Sequence, residues 1–409
     1  MENAQIERES ATMHVMPQAT SAPPSTIPRQ VWLLGFVSLF NDIASEMLYP
    51  VLPVFLTQIL GAPVAVVGLI EGCAEGAAAV FKGIFGRLSD KLGKRKIFVV
   101  SGYASSAISK VIIALSSVWP LVFLGRFVDR FGKGLRTGAR DAMLLDASTE
   151  HNRGLIFGLH RSMDSAGAVL GPLIAVFLLH AGHTIRLILW IAALPALGSM
   201  LLFFFVTESQ TDPQPAVKVF RFSLRGFSQE FQWLLLALAI FSLGNSSDAF
   251  LILRAKNLGM SLSLVILAYV FYNVLYTLLS IPAGKVSDRL GAKGVMITGI
   301  LIYALVYLGF AFEQNARWIW LLFGVYGCYI ALTDGVSKAL AAQFIRKEQS
   351  AAAYGVMPMI TGLGTLFASL IGGMLWTFIS PQATFFFAAA CALFSVLFFA
   401  GLPSKATHE

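Results

Sequence analysis

Ionisable side chains lie inside long apolar runs in the first half of the chain. Asp42 and Glu46 are four residues apart, as are Glu71 and Glu75, so each pair shares one face if its segment is helical. Burial favours the neutral form of a carboxyl group and a nearby cation favours the charged form, so a change of surroundings lets the group bind and release a proton. The candidates for this chemistry are Asp42, Glu46, Glu71, Glu75, Arg126 and Asp164.

The same half holds further charges, and its acids and bases nearly balance. Further charged or titratable residues are Lys82, Lys110, Asp129, Arg130, Lys133, Arg136, His160 and Arg161. Many of these groups are expected to pair, because an unpaired charge in an apolar setting is costly. A structural network of ion pairs is therefore the alternative for each candidate. By its depth in its run, Arg126 is predicted to pair with Asp42 or Glu46.

Polar and aromatic residues in other runs are candidates for lining a small-molecule cavity. They are Asn41, Asn245, Asp248, Tyr272, Asn273, Tyr276 and Asp334, with Tyr326 and Tyr329 beside them in sequence. Packing and interface anchoring are the alternative roles for the aromatic members.

The elements that position these residues are apolar runs of membrane-spanning length. Of the 409 residues, 56% are hydrophobic and 13% are charged, whereas soluble domains average roughly 25% charged. Each run is near the ~20 residues that cross a bilayer, and backbone groups in lipid must be paired within a helix. We therefore predict an all-α membrane protein with twelve transmembrane helices. The runs are 31–57, 64–86, 96–117, 119–139, 154–178, 185–206, 230–253, 262–284, 295–313, 317–339, 352–378 and 382–402.

Lys and Arg concentrate in the loops after even-numbered runs, which places those loops and both termini in the cytoplasm. The net charge of +8 is thus explained by topology, and no nucleic-acid partner is expected. We predict a multi-pass protein of the inner (cytoplasmic) membrane.

One long polar segment divides the runs into two sets of six. We predict a disordered cytoplasmic tail at 1–29, six-helix bundles at 30–206 and 230–402, a cytoplasmic linker at 207–229 and a short tail at 403–409. The two first helices also match, because Ser38-Leu39-Phe40-Asn41 resembles Ser242-Leu243-Gly244-Asn245. Parallel halves with a site between them at mid-membrane are expected from such a repeat.

Two basic loops that begin 198 residues apart share one pattern. They are Gly86-Arg87-Leu88-Ser89-Asp90-Lys91-Leu92-Gly93-Lys94-Arg95-Lys96 and Gly284-Lys285-Val286-Ser287-Asp288-Arg289-Leu290-Gly291-Ala292-Lys293. The glycines are expected to allow tight turns, and each Asp to lie near a helix terminus. This duplicated loop resembles the signature of the major facilitator superfamily. The residues carried over to a conformational loop are Gly86, Asp90, Lys91, Gly93, Arg95, Gly284, Asp288, Arg289 and Gly291.

Further segments resemble the same superfamily. Leu124-Gly125-Arg126 followed by Gly132 is similar to its helix 4 pattern, whose buried Arg is associated with proton transfer. Helix 5 resembles the antiporter motif of its drug exporters, although Ala175 and Val176 replace the final two glycines. The matching positions are Gly158, Gly167, Gly171 and Pro172, which are expected to let helix 5 approach the other half. Segments such as Ser45-Glu46-Met47-Leu48-Tyr49-Pro50 resemble a bacterial and archaeal branch with few assigned substrates.

The resemblance implies a secondary active transporter that works by alternating access, and not an enzyme. No phosphate-binding loop and no His/Cys cluster is found in the sequence, so neither cofactor nor metal is expected, and any active transport uses an ion gradient. The leading expectation is proton antiport that exports a small organic compound. The alternatives are proton symport of a sugar, organic acid or iron chelate, and a sensor or scaffold that moves nothing. The expected partners are a small-molecule substrate, protons and the lipid bilayer, with the protein a monomer.

Overall fold

A computed structural model describes residues 27–92, 94–148, 152–207, 226–345 and 350–403. The greater parts of the predicted tails and linker therefore lie outside the described residues. Within these ranges the chain is helical and has no strand. The long helices, labelled α1 to α12 in chain order, are Arg29–Ile59, Val64–Leu92, Arg95–Leu115, Trp119–Asp146, Arg153–His180, Ile185–Phe203, Gln229–Asn257, Leu262–Leu290, Ala292–Phe312, Ala316–Ala342, Ser350–Phe378 and Pro381–Gly401.

The predicted all-α membrane fold is confirmed. Within the described ranges, eleven of the twelve helices contain a window long and apolar enough to cross a bilayer. The exception is α4, which spans 28 residues but carries many charged side chains along its length.

Two of the helices are interrupted. In α1 the regular helix ends at Leu48, resumes at Leu52 and finishes in a π-helical turn at Phe55–Ile59. Pro50 lies in that interruption. Because proline has no backbone N–H, it cannot donate the hydrogen bond that would continue the helix. In α7 the first segment, Gln229–Gly244, stops before a second short segment that begins at Ala249.

Glycines in α5 set the distance between α5 and α1. A Cβ atom at Gly167 would lie 2.9 Å from the carbonyl oxygen of Leu39, and one at Gly171 would lie 2.6 Å from that of Ile43. Both neighbours belong to the same half of the chain. The expectation that these glycines let α5 approach the other half is therefore wrong at Gly167 and Gly171, although α5 itself also packs against α8 of the other half.

A close backbone approach between the halves is made by α2 and α11. A Cβ atom at Gly68 would lie 2.2 Å from the carbonyl oxygen of Ser369. Near this point the backbone N–H of Ala65 donates to Oγ1 of Thr377 at 2.9 Å. Small residues of this kind let two backbones meet within a membrane. The glycines at four-residue spacing along α2, namely Gly68, Gly72 and Gly76, were the signal for this contact.

The duplicated loop contains more helix than the sequence predicted. Gly86 is helical because α2 continues to Leu92, and Gly284 is helical because α8 continues to Leu290. The expected tight turn at these two glycines is therefore wrong. Gly291 has a φ of +92° and makes the turn in the second copy, as a residue without a Cβ can. Gly93, and the side chains of Asp90 and Lys91, lie outside the described parts of the chain.

Candidate functional site

A buried ion pair joins α2 to α4 near the middle of the first half. Arg126 donates from Nε to Oε1 of Glu71 at 3.1 Å and from Nη2 to Oε2 at 2.6 Å. The two side chains are 5% and 2% exposed. This two-point geometry satisfies both charges at once. The predicted pairing of Arg126 with Asp42 or Glu46 is therefore wrong.

Two further pairs extend this network along α4. Nζ of Lys110 lies 2.5 Å from Oδ1 of Asp129, which also accepts a bond of 2.6 Å from the hydroxyl of Ser106. Arg130 lies 3.1 Å from the carboxylate of Glu75, whose side chain is 39% exposed. Arg126, Arg130 and Lys110 are thus each matched by an acid, whereas Lys133 and Arg136, further along α4, form no ion pair among the described residues.

The two acids of α1 are placed differently. Oδ1 of Asp42 accepts a bond from the amide of neighbouring Asn41 at 3.3 Å, and its Cβ lies against Gly167 of α5. Oε2 of Glu46 accepts a bond of 2.9 Å from the hydroxyl of Tyr269 on α8, in the other half. Among the described residues, no Lys, Arg or His forms an ion pair with Asp42 or Glu46.

In the second half, tyrosines surround a single carboxylate at the interruption of α7. Asp248 accepts hydrogen bonds from the hydroxyls of Tyr272 on α8 and Tyr326 on α10, the latter at 2.6 Å. A second contact between the halves lies beside it, where the Tyr49 and Ser247 hydroxyls are 3.1 Å apart. Three residues of these contacts were not among the candidates predicted from the sequence, namely Tyr49, Ser247 and Tyr269. The signal for Tyr269 was its spacing of three and seven residues from Tyr272 and Tyr276, which places all three on one face of α8.

The remaining cavity candidates do not join this cluster. The amide of Asn273 donates to the carbonyl oxygen of Tyr269 in its own helix at 3.0 Å. Tyr276 donates to Asp334 at 2.8 Å, and both line a cavity of about 160 Å³ that also includes Asp288 of the duplicated loop. Asn245 caps the first segment of α7.

On α5, Asp164 lies close to its helical neighbour His160, with Nδ1 and Oδ2 3.6 Å apart. Within the described structure, Nε2 of His160 and Oδ1 of Asp164 have no hydrogen-bond partner. Asn41 is buried and its Oδ1 is likewise without a partner in that part of the chain. Most sequence candidates therefore fall into four groups: the acids of α2 paired with α4, the acids of α1 with Asp164, the tyrosine cluster around Asp248, and the Tyr276–Asp334 pair at the smaller cavity.

Comparison with known proteins identifies the family. A sequence profile of the Major Facilitator Superfamily matches residues 34–254 and 234–409. The chain belongs to the major facilitator superfamily. The resemblance noted in the sequence is therefore confirmed, and the protein is a multi-pass membrane transporter of this superfamily.

Relatives and solved structures of the superfamily agree with this assignment. An uncharacterized MFS-type transporter from Methanocaldococcus jannaschii is 36% identical over 378 residues, which is 91% of this chain and 94% of the relative. The quinolone resistance protein NorA of Staphylococcus aureus is 25% identical over 155 residues, 38% of this chain and 39% of NorA. A crystal structure of a variant of the nucleoside transporter NupG superposes with a TM-score of 0.80 at 15% identity, covering 91% of this chain and 99% of that chain. The likeness to NupG shows the fold alone.

Within this superfamily member, the polar groups are arranged so that the two halves differ chemically. The first half presents several ion pairs, and the second presents the carboxylates of Asp248 and Asp334, which are held by tyrosine hydroxyls. The direct bonds between these sets, Tyr269 to Glu46 and Tyr49 to Ser247, cross the interface between the halves. A motion that parts the halves at this point changes both bonds.

Proposed function

We propose that this transporter is a proton-coupled antiporter that exports a small organic compound, with an acid of α1 as the proton carrier. The observation that carries the proposal is the contrast among the acids. Glu71, Glu75 and Asp129 each form an ion pair, whereas among the described residues Asp42 and Glu46 form none, although Lys133 lies within electrostatic range of both. An acid that is locked to a cation stays charged, while one that lacks such a partner can accept a proton without stranding a neighbouring charge.

The contact of Glu46 with the other half supplies the coupling. Its carboxylate is stabilised here by a hydrogen bond from Tyr269 across the interface. When the halves rock apart at this point, the carboxylate loses that donor. Its charged form is then less stabilised, so it binds a proton more readily. Asp42 lies one turn away on the same face, where its Cβ packs against Gly167 of α5. Proton binding and the rocking of the halves thereby affect the same bonds.

Two observations support export over import. The chain is similar over part of its length to NorA, whose name describes resistance to quinolones. The glycines of α5 also fit most of the antiporter pattern, and in this structure they fix the packing of α5 on the helix that carries Asp42.

The test uses the full-length protein in proteoliposomes with an acidic interior and a pH-sensitive dye inside. The probes are a panel of sugars, organic acids and organic bases that includes norfloxacin as a quinolone. We expect at least one base to dissipate the pH gradient. Glu46→Gln or Asp42→Asn should abolish that proton flux but keep exchange of the compound without a gradient, since exchange moves no net proton.

The control is Glu313→Gln, which removes one negative charge at the end of α9, away from the interface. It should leave proton flux unchanged. Wild-type proton flux in both α1 variants would contradict the proposal and would direct attention to Glu71, Glu75 or Asp164. In vesicles with the opposite gradient, acidic outside, uptake of a sugar or organic acid together with protons would instead establish symport.

A further inference from the structure

The tyrosine cluster around Asp248 has the composition of a site for a positive charge. The Tyr272 and Tyr326 rings lie edge to face with centroids 5.2 Å apart, and Tyr269 approaches Tyr272 at 5.1 Å. The Tyr49 ring, from the other half, lies 5.7 Å from that of Tyr269. The faces of aromatic rings carry partial negative charge and attract ammonium and guanidinium groups.

The charge balance at the interface favours a cation as well. The nearby cations are neutralised within the first half, because Arg126 binds Glu71 at two points and Arg130 binds Glu75. Arg126 already occupies one face of Tyr49, 5.8 Å from its centroid. Among the residues that the structure describes, Asp248 and Glu46 form no ion pair, and hydroxyl donors bind their carboxylates. A cationic ligand would balance charges that the protein leaves unmatched.

The interruption of α7 adds two features that point to a ligand. The first segment of α7 ends at Gly244, and the C-terminal end of a helix carries partial negative charge. Two buried hydroxyls near Asp248, those of Ser246 and Tyr307, lie within reach of each other but form no hydrogen bond of good geometry within the described residues. Buried hydroxyls usually have a partner, so these two groups leave hydrogen-bonding capacity for water or for a bound molecule.

We propose that this cluster binds the transported compound and that the compound is an organic cation, an amine or a quaternary ammonium or phosphonium ion. The inference rests on the proposed transport function and adds the substrate class and its anchor. In the arrangement described here the tyrosines fill the space between the halves. Rocking that parts Glu46 from Tyr269 and Tyr49 from Ser247 opens room for the cation between Asp248 and the exposed ring faces.

The test measures equilibrium binding to the purified full-length protein in detergent. Tetraphenylphosphonium and tetraphenylborate have nearly the same size and apolar surface and opposite charges. Benzyltrimethylammonium serves as a smaller cation. We expect at least one of the two cations to bind and the borate not to bind. Asp248→Asn should weaken binding of the cation about tenfold or more, because it removes the anchoring charge from a partly dry site.

Two variants keep the result interpretable. Tyr326→Phe retains the ring and removes one donor to Asp248, so it should weaken binding less than Asp248→Asn. Its melting temperature, measured by thermal unfolding, should show that the variant is folded. Glu313→Gln, with the same change of charge, should bind the cation like wild type. Binding that is equal for phosphonium and borate, binding of borate alone, failure of both cations to bind, or wild-type affinity in Asp248→Asn would each overturn the proposal. Since no proton flux is measured, these outcomes are independent of whether α1 carries the proton.

Discussion

At the scale of single residues, the ion pairs that join α2 to α4 differ in how deeply they are buried. Glu71 is enclosed with Arg126, whereas Glu75 meets Arg130 with a side chain that is 39% exposed. Water can compensate the loss of an exposed charge but not that of a buried one. Two acids four residues apart on one helix therefore differ in their importance to folding.

Replacing Glu71 by Gln should strand the buried guanidinium of Arg126 and destabilise the protein by roughly 3–5 kcal/mol. Glu75→Gln should cost about 1 kcal/mol or less, because its pair is partly solvated. Thermal unfolding of the two variants in the same detergent measures the difference. Removing both charges, in Glu71→Gln with Arg126→Gln, should recover part of the loss. Equal melting temperatures for the two single variants would contradict the assignment of Glu71 to a structural pair.

The sequence located these charges but did not pair them correctly. Depth along a helix follows from residue number, so Arg126 and Asp42 were expected at one level of the membrane. The direction in which a side chain points also depends on the rotation of its helix and on which helix lies beside it. The packing of α2 on α4, where a Cβ at Gly134 would meet Phe81, brings Glu71 to Arg126 instead. That packing is a property of the folded molecule and is not visible in the spacing of charges.

At the scale of helices, glycines in one motif have unequal roles. A Cβ atom at Gly171 would overlap the carbonyl oxygen of Ile43 at 2.6 Å, whereas one at Gly158 would meet nothing within 4 Å. The pattern predicted a close contact on α5 and the structure contains one, but with α1. A glycine motif in one helix predicts a close contact with another helix but does not specify which helix that is.

Gly171→Ala should therefore destabilise the packing of α5 on α1 by about 1–3 kcal/mol, since backbone atoms must move. Gly158→Ala should be neutral or stabilising by up to ~1 kcal/mol, because Ala favours helix over Gly. The melting temperature in detergent and the yield of monodisperse protein measure both effects. A larger loss at Gly158 than at Gly171 would show that the motif acts through a contact absent from this arrangement.

At the scale of the whole molecule, the repeated loops and matching first helices predicted two halves, and the fold contains the contact surface expected between them. No motif in the sequence predicted that α2 and α11 would form part of this contact surface. The predicted orientation, with both termini in the cytoplasm, stays a prediction, as does the boundary of each bundle.

The approach of α2 to α11 can be measured in membranes by disulfide cross-linking. A cysteine pair at Ala65 and Thr377 should cross-link rapidly on mild oxidation, because their backbone and side chain are in hydrogen-bond contact. Adding Gly68→Val, whose Cβ would overlap Ser369, should slow the reaction by pushing the helices apart. The background variant lacks the native thiols Cys73, Cys328 and Cys391.

Single-cysteine variants at each position provide the control for cross-links between molecules. Rapid cross-linking in the paired variant regardless of residue 68 would show that this glycine does not set the distance. Absence of any cross-link would show that the halves do not meet here in a membrane.

The charges of α4 also bear on how the chain enters the membrane during synthesis. Arg or Asp at the centre of a lone inserting helix costs roughly 2.5–3.5 kcal/mol each, so a segment with Arg126, Asp129 and Arg130 inserts poorly by itself. Its partners Glu71, Glu75 and Lys110 all precede it in the chain. The helices that carry them, α2 and α3, are therefore synthesised before α4 and can lie beside the translocon when α4 emerges. The order of these residues along the chain lets α4 enter the bilayer with its counter-charges already there, so its insertion depends on the helices made before it.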